Sequence, residues 1–259
     1  MAMLSAAARR RPAASSRRAD VAAATLTALA HGCAEVAVAG VRVRATAEGG
    51  LWIPEAGALV VSDMHLEKGS AFARRGQMLP PYDTRTTLAR LEALVAAYAP
   101  RTVISLGDSF HDVEAPARMH GTDAARLAAL VGAVEWVWIV GNHDPELPPA
   151  LGGVRREEIA LGALTLRHEP HAGDAPGEIA GHLHPCAKVA ARGRSVRARC
   201  FATDGRRLVM PAFGPYAGGL NLRDRAFAPL FPRGAMALMA ARGRVWPAHP
   251  DRLLPDMRV

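Results

Sequence analysis

The feature that most constrains this chain is an apolar run that leads directly into a glycine and three polar residues. Residues 137–140 are Val-Trp-Ile-Val, and Gly141, Asn142, His143 and Asp144 follow. A short apolar run predicts a buried strand, and the glycine permits a sharp turn at its end. Asn142 can offer a metal its amide oxygen, His143 can act as a general acid, and Asp144 can fix the tautomer of that imidazole. Taken alone, the stretch fits an ordinary polar turn equally well.

Residues of similar chemistry end four other apolar runs, so an ordinary turn no longer accounts for the pattern. Asp63 and His65 end one run, and His182 and His184 end another. Residues two apart in an extended segment project to the same side, and the first pair, Asp63 and His65, suits the capture of one metal ion. One further run ends in a lone carboxylate, Asp108, and another ends in a lone imidazole, His168. The candidate metal ligands are Asp63, His65, Asp108, Asn142, His168, His182 and His184.

Apolar runs alternate with amphipathic segments, which predicts an α/β fold. Residues 83–98 are predicted as a helix with Asp83 as its N-cap, and a second helix is predicted from Thr122 or Asp123 to residue 131. Residues 35–44 are predicted as a strand or short hairpin. Because each motif follows a strand, the motifs are expected at the carboxyl edge of a sheet, where open α/β sheets bind ligands.

The candidate ligands are oxygen and nitrogen donors without a cysteine, and imidazole favours transition metals over calcium. We expect two divalent transition metal ions about 3.5–4 Å apart. Manganese is the expected metal, with iron or zinc as alternatives. Asp108 is placed to bridge the ions, and His143 remains free to protonate a leaving oxygen. His111, Arg74 and Arg75 are candidate contacts to substrate phosphates. A solvated charged loop explains the two arginines equally well, and His111 could instead support a metal ligand or cap the following segment.

Length and charge bound the organisation of the chain. Its 259 residues suit one large or two small domains, and we expect an Ala- and Arg-rich, disordered extension over residues 1–31 and one domain over 32–259. The formal net charge is +8, but five arginines lie within residues 9–18, so charge alone is weak evidence for nucleic acid. Three cysteines without a Cys-x-x-Cys pair fit a reducing, cytoplasmic location. No apolar run approaches the roughly 18 residues of a membrane span.

The ordered motifs resemble the calcineurin-like binuclear metallophosphoesterases. These motifs are Asp63-x-His65, Gly107-Asp108, residues 141–144, His168 and Gly181-His182-x-His184. The resemblance implies a four-layer α/β/β/α sandwich of two mixed β-sheets. It implies Asp63, His65 and His184 on one metal, and Asn142, His168 and His182 on the other. It also implies that Asp108 bridges them, that His143 is the acid, and that Asp144 orients it.

A narrower resemblance is to the bacterial ligase-associated DNA-damage-response endonucleases. Its segments are residues 63–69, 80–83, 107–112, 167–170 and 211–214, and Met64 stands where leucine or isoleucine is commoner. It implies a manganese-dependent DNA endonuclease acting in DNA repair on DNA that we expect to be single-stranded. The implied partners are a DNA ligase, a helicase and an exonuclease-like protein. The alternatives are a hydrolase of small phosphate esters, such as cyclic nucleotides or nucleotide-sugar lipids, and a non-catalytic metal-binding scaffold.

Overall fold

A computed structural model describes residues 27–28, 32–191 and 193–256. The first of its two mixed β-sheets follows chain order, antiparallel from β1 to β5 and parallel from β5 to β8. Its strands are β1 Thr27–Ala28, β2 Ala34–Val38, β3 Val41–Ala45, β4 Leu51–Ile53, β5 Ala58–Val61, β6 Thr102–Leu106, β7 Glu135–Ile139 and β8 Val154–Arg156.

The second sheet has the order β16-β15-β13-β14-β11-β10-β9, with β12 paired to β13. Within it, β10, β11 and β14 run parallel, so the loops after β10 and β11 emerge at one edge. Its strands are β9 Glu158–Leu161, β10 Leu164–Arg167, β11 Glu178–Ala180, β12 Cys186–Ala191, β13 Arg194–Thr203, β14 Leu208–Val209, β15 Met236–Ala241 and β16 Arg244–Ala248.

Apolar side chains from both sheets meet in one core between them. Val36, Val43 and Ile104 of the first sheet are buried there with Leu166 and Phe201 of the second. Burying one such side chain stabilises the fold by about 1.5–3 kcal/mol. This core holds the two sheets face to face, and therefore fixes their loop-bearing edges relative to each other.

The α-helices of the described residues all lie between β5 and β7 in the chain and cover the outer face of the first sheet. They are α1 Lys68–Ala73, α2 Asp83–Tyr98, α3 Ala115–Arg118 and α4 Gly121–Ala133. The outer face of the second sheet is covered by residues 222–235 and 248–253, which include one-turn 3-10 helices. The predicted α/β fold with two mixed sheets is confirmed. Within the described residues, the layer outside the second sheet is formed by irregular chain and 3-10 turns rather than by α-helices.

Several local predictions can be compared with the structure directly. The predicted hairpin at 35–44 is confirmed, because β2 and β3 pair across a turn in which Ala39 and Gly40 both have positive φ, 47° and 84°. The N-cap prediction for Asp83 is wrong. Tyr82 precedes the first helical residue, and the Asp83 carboxylate instead accepts the Gly69 N–H at 2.9 Å. That bond ties α2 to α1 beside the metal motifs.

Most of the predicted extension, residues 1–31, lies outside the described residues. Within it, Thr27 and Ala28 pair with Glu35 and Ala34, so strand pairing already includes part of that segment. The edge of β2 supplies backbone groups for this pairing, a tertiary contact that composition does not reveal. The single domain over 32–259 stays a prediction. Among the described residues, no helix combines the length and apolarity that crossing a membrane requires.

Candidate metal centre

Parallel pairing gathers the motifs of the first sheet at one edge. β5, β6 and β7 are neighbours and end together, which brings the loops with Asp63, Asp108 and Asn142 side by side. The glycines permit the close approach of these loops. A Cβ on Gly107 would lie 2.2 Å from His168 Nδ1, and a Cβ on Gly141 would lie 2.2 Å from Asp108 Oδ1. Any larger residue at either position would push the loops apart.

One cluster of ligand atoms is formed by Asp63, His65 and His184. Their candidate atoms lie within 4.8 Å of one another. Asp63 Oδ1 is 3.0 Å from His184 Nε2, and His65 Nε2 is 3.3 Å from His184 Nε2. The first sheet supplies two of these residues and the second sheet supplies the third, so the cluster exists because the sheets pack together.

A second cluster is formed by Asp108, His168 and His182, again within 4.8 Å. His182 Nδ1 is 3.2 Å from His168 Nε2, which is also 3.0 Å from Asn142 Oδ1. The other ring nitrogen of His168, Nδ1, donates to Leu106 O at 3.0 Å. Since a carbonyl only accepts, this bond fixes the proton on Nδ1 and leaves Nε2 as a lone-pair donor.

Asp108 lies between the clusters. Its Oδ1 is 3.5 Å from His168 Nε2, and its Oδ2 is 4.0 Å from His65 Nε2. One carboxylate oxygen therefore faces each group of ligands. Imidazole nitrogens converging with carboxylates fit a pair of divalent transition metal ions, and the donor set agrees with that class of metal.

Burial shapes the charges of this centre. Burial raises the pKa of Asp63, but its hydrogen bond to His184 and the charges of His184 and His168 outweigh burial and lower the pKa below its ordinary value. Burial lowers the pKa of His65 to about 3, against the opposing effect of Asp63. His65 is thus neutral at neutral pH, which is the form that binds a metal.

Five of the seven predicted ligands have a left-handed backbone. The φ values are 52° for Asp63, 45° for His65, 47° for Asp108, 65° for His182 and 46° for His184. The expectation that the two pairs project from extended segments is therefore wrong. Their side chains converge because the chain turns at each of these residues. Such conformations cost on the order of 1–3 kcal/mol each and persist only where the surroundings impose them.

Asp144 does not contact the His143 ring through its carboxylate, contrary to its predicted orienting role. Its Oδ1 accepts the N–H groups of Asp108 and Gly141, both at 3.1 Å. Its Oδ2 accepts those of Ser109 and Phe110 at 2.7 and 3.1 Å. Burial raises the pKa of Asp144 to about 6, and the amide bonds oppose that shift. The carboxylate joins the loop after β6 to the loop after β7.

His143 is oriented by a different group. Its Nδ1 is 2.7 Å from His111 O, and its own N–H donates to Asp108 Oδ1 at 2.9 Å. Because a carbonyl only accepts, this contact fixes a proton on Nδ1 and leaves Nε2 as the ring nitrogen available for proton transfer. The ring meets His65 edge-on at 5.0 Å and stacks on His111 at 5.3 Å between centroids. His143 therefore stands directly beside both clusters.

The three predicted substrate contacts lie in different surroundings. His111 lies at the centre, and its Nδ1 is buried without a hydrogen-bond partner among the described residues. Burial, together with Lys68, lowers the pKa of His111 to about 4. Arg74 pairs with Glu114, and both Arg74 and Arg75 are exposed and line a cavity of about 360 Å³ with Ala71 and Val113.

The sequence interpretation missed two contributors to the site, Ser62 and the segment at 211–214. Ser62 Oγ donates to Asp63 Oδ2 at 2.5 Å. Phe213 N–H donates to Ser62 O at 2.8 Å, and Gly214 N–H donates to Asp63 O at 3.2 Å. The Pro-Ala-Phe-Gly sequence at 211–214 predicts a turn or close backbone approach, but it does not indicate which loop is approached.

The fold and these clusters define a class of protein: a binuclear metal-dependent hydrolase built between two β-sheets. The model of the calcineurin-like phosphoesterase family matches residues 58–186, which include every candidate ligand. The chain belongs to this family and is a metallophosphoesterase. The crystal structure of the Pseudomonas putida nuclease MPE is similar over 83% of this chain and 100% of that chain, with 26% sequence identity and a TM-score of 0.64. No curated protein matches the sequence.

Proposed function

We propose that the chain is a phosphodiesterase that cleaves DNA internally, using two manganese ions. The observation that carries this proposal is the position of Asp108, with one carboxylate oxygen toward each ligand cluster and His143 beside both. Asp63, His65 and His184 would hold one ion, Asn142, His168 and His182 the other, and Asp108 would touch both. When bound, such a pair of ions supplies positive charge that polarises a phosphate and activates a water for in-line attack.

The proposed role of His143 follows from its tautomer. Since Nδ1 is committed to His111 O, a protonated His143 has one proton to give, the one on Nε2. A sugar alkoxide is a poor leaving group, so proton transfer to it in the transition state lowers the barrier. The hydrogen bond to the His111 carbonyl also keeps the ring aimed at the site.

Three features support a nucleic acid substrate. The similar Pseudomonas putida protein is a nuclease. Asn142 is exposed, so the ligand clusters open to a surface that a polymer can reach. Lys68, whose Nζ lies 5.7 Å from the Phe72 ring centroid, flanks His111 and can attract a neighbouring phosphate.

One observation favours a second candidate, the hydrolysis of small phosphate esters. Arg118 donates two hydrogen bonds to Asp112, each at 2.8 Å, and Arg74 pairs with Glu114. These pairs reduce the positive charge beside the site, so a long basic groove for a polymer is less developed than the arginine content suggests.

The discriminating experiment compares circular single-stranded DNA with p-nitrophenyl phosphate and a cyclic nucleotide as substrates in the presence of manganese. Conversion of circles to linear strands, abolished in Asp108→Asn, would support the endonuclease. Hydrolysis of the small esters without any cleavage of circles would establish the second candidate instead.

The proposal includes the cellular role that the narrower resemblance implies. That role is DNA repair in the cytoplasm beside a ligase, a helicase and an exonuclease-like protein. The test is survival after DNA damage of cells that lack the protein, complemented by wild type or by Asp108→Asn. Equal survival with both versions would reject a repair role that depends on cleavage.

A further inference from the structure

Two arginines from distant parts of the chain converge on one backbone carbonyl near the metal centre. Arg90 extends from α2, donates Nη2 to Phe213 O and lies 4.8 Å from the centroid of the Phe213 ring. Arg199 extends from β13 and donates Nη1 to Phe213 O and to Ala212 O, both at 3.4 Å. Neither guanidinium reaches the ligand clusters through these bonds.

The carbonyl that they share belongs to the segment that lies against the first metal motif. Phe213 N–H donates to Ser62 O, and the Gly214 N–H donates to Asp63 O, at 2.8 and 3.2 Å. A Cβ on Gly214 would lie 2.2 Å from Met64 O. The segment at 211–214 and the segment at 62–64 are therefore in direct backbone contact, and displacement of one displaces the other.

The loop on which this segment rests needs external support. Asp63 and His65 both have left-handed backbone, with φ of 52° and 45°, a conformation that residues with a Cβ adopt infrequently and that costs free energy. The loop also bonds to its other neighbour, because His65 N–H donates to Asp108 O at 2.9 Å. The segment at 211–214 holds it from the side facing the second sheet.

Keeping Arg90 and Arg199 together costs free energy, because burial disfavours the charged form of each guanidinium. Burial and the positive charge of Arg199 lower the pKa of Arg90 to about 10, and burial lowers that of Arg199. Two half-buried cations of like charge are thus kept beside each other on a neutral carbonyl, and the negative charge of Glu48 offsets their pKa shifts only in part. A lysine at either position would keep the charge but lose the planar guanidinium, which stacks on the Phe213 ring at Arg90 and contacts two carbonyls at Arg199.

We propose that Arg90 and Arg199 are positioning residues for the metal loop at Asp63 and His65. By fixing the Phe213 carbonyl, they hold the segment at 211–214 against that loop and so set the affinity of the ion bound by Asp63, His65 and His184. This inference rests on the proposed function, which makes these three residues ligands. The ion at Asn142, His168 and His182 has no such support from the two arginines.

The test measures manganese binding to each of the two sites in Arg90→Met, Arg199→Met, Arg90→Lys and Arg199→Lys. Loss of residues that hold a ligand in place typically weakens metal binding about 10–100-fold. We expect that loss at one of the two ions only, a smaller loss in the lysine variants, and recovery of turnover when manganese is raised to saturation. Arg126→Met is the control, because Arg126 joins α4 to Glu92 of α2 by hydrogen bonds of 2.8 and 2.7 Å and lies outside this contact.

The outcomes are distinguishable. If the methionine variants do not fold, the lysine variants carry the test. Variants that bind both ions as tightly as wild type would overturn the positioning role, and so would equal weakening of both ions together with a lowered unfolding temperature of the metal-free protein. Wild-type protein that binds fewer than two ions would instead overturn the proposed function, and this inference with it.

Discussion

At the scale of single residues, the two polar groups that follow Asn142 have separate tasks. His143 presents Nε2 to the site because its Nδ1 is held by His111 O at 2.7 Å, whereas Asp144 is buried on four backbone amides. Under the proposed function His143 therefore serves proton transfer, whereas Asp144 holds two loops together, and their substitutions are expected to have different signatures.

We expect His143→Ala to keep both metals and lose most turnover on DNA. General acid catalysis typically contributes about 10²–10⁴-fold, so cleavage of DNA should fall by about that factor. A p-nitrophenolate leaves without help, so hydrolysis of its ester should fall much less. Steady-state rates on both substrates and metal analysis check this prediction. Equal losses on both substrates would contradict an acid and indicate that the ring positions the substrate.

We expect Asp144→Asn to destabilise the fold without a bias between substrates. An amide offers one oxygen where the carboxylate offers two, so its NH₂ group would face two of the four backbone N–H groups. Leaving buried donors unsatisfied costs about 1–3 kcal/mol. Denaturant unfolding of the metal-free protein measures the loss. A substrate bias like that of His143→Ala, with unchanged stability, would restore the orienting role that the sequence suggested.

At the scale of elements, the loops after β5, β6 and β7 function only when they are packed together. Their common edge follows from parallel pairing, but their separation is set by glycines. A Cβ on Gly141 would lie 2.2 Å from Asp108 Oδ1 and 2.3 Å from Asp108 N, where neither the backbone nor a carboxylate held between two clusters can easily yield.

We therefore expect Gly141→Ala to displace Asp108 and weaken both metal sites, with a stability loss of about 1–3 kcal/mol from overpacking. Gly132→Ala is the matched control, because Gly132 lies in α4 and a Cβ there would meet nothing within 4 Å. That change should stabilise the protein by up to about 1 kcal/mol. Metal content and unfolding free energy are the measurements. Full metal content in Gly141→Ala would show that the loops tolerate separation.

At the scale of the whole molecule, the metal centre joins the two sheets. Asp63 and His65 come from the first sheet and His184 from the second, so an ion held by these three residues would add a link between the halves of the sandwich. Binding to the folded state alone stabilises a protein by mass action, and the effect grows with the concentration of free ion.

We expect manganese to raise the unfolding temperature and to support turnover, and calcium to do neither well, because the donor set is rich in imidazole. Removal of metal by a chelator should abolish phosphodiester cleavage and return the unfolding temperature to that of metal-free protein. Thermal unfolding in manganese, calcium and chelator checks this. Equal activity with and without metal would reject the binuclear mechanism.

The sequence by itself determined the elements and the chemistry of the site. Apolar runs at 58–61 and 102–106 coincide with β5 and β6, because a strand buried on both faces needs continuous apolar side chains. The candidate ligands could be chosen because oxygen and nitrogen donors recurred at strand ends. Parallel pairing then made their proximity foreseeable for the first sheet.

Only the tertiary structure decided how these residues are held. Asp144 is held by four backbone amides and His143 is oriented by a carbonyl, and most of these groups come from loops that are distant in sequence. The left-handed backbone of Asp63 and His184 likewise depends on how the loops pack. The same holds for Arg90 and Arg199, which are 109 positions apart (199 − 90) and meet at Phe213 O. Local propensity carries no information about such contacts, because the packing of the two sheets creates their partners.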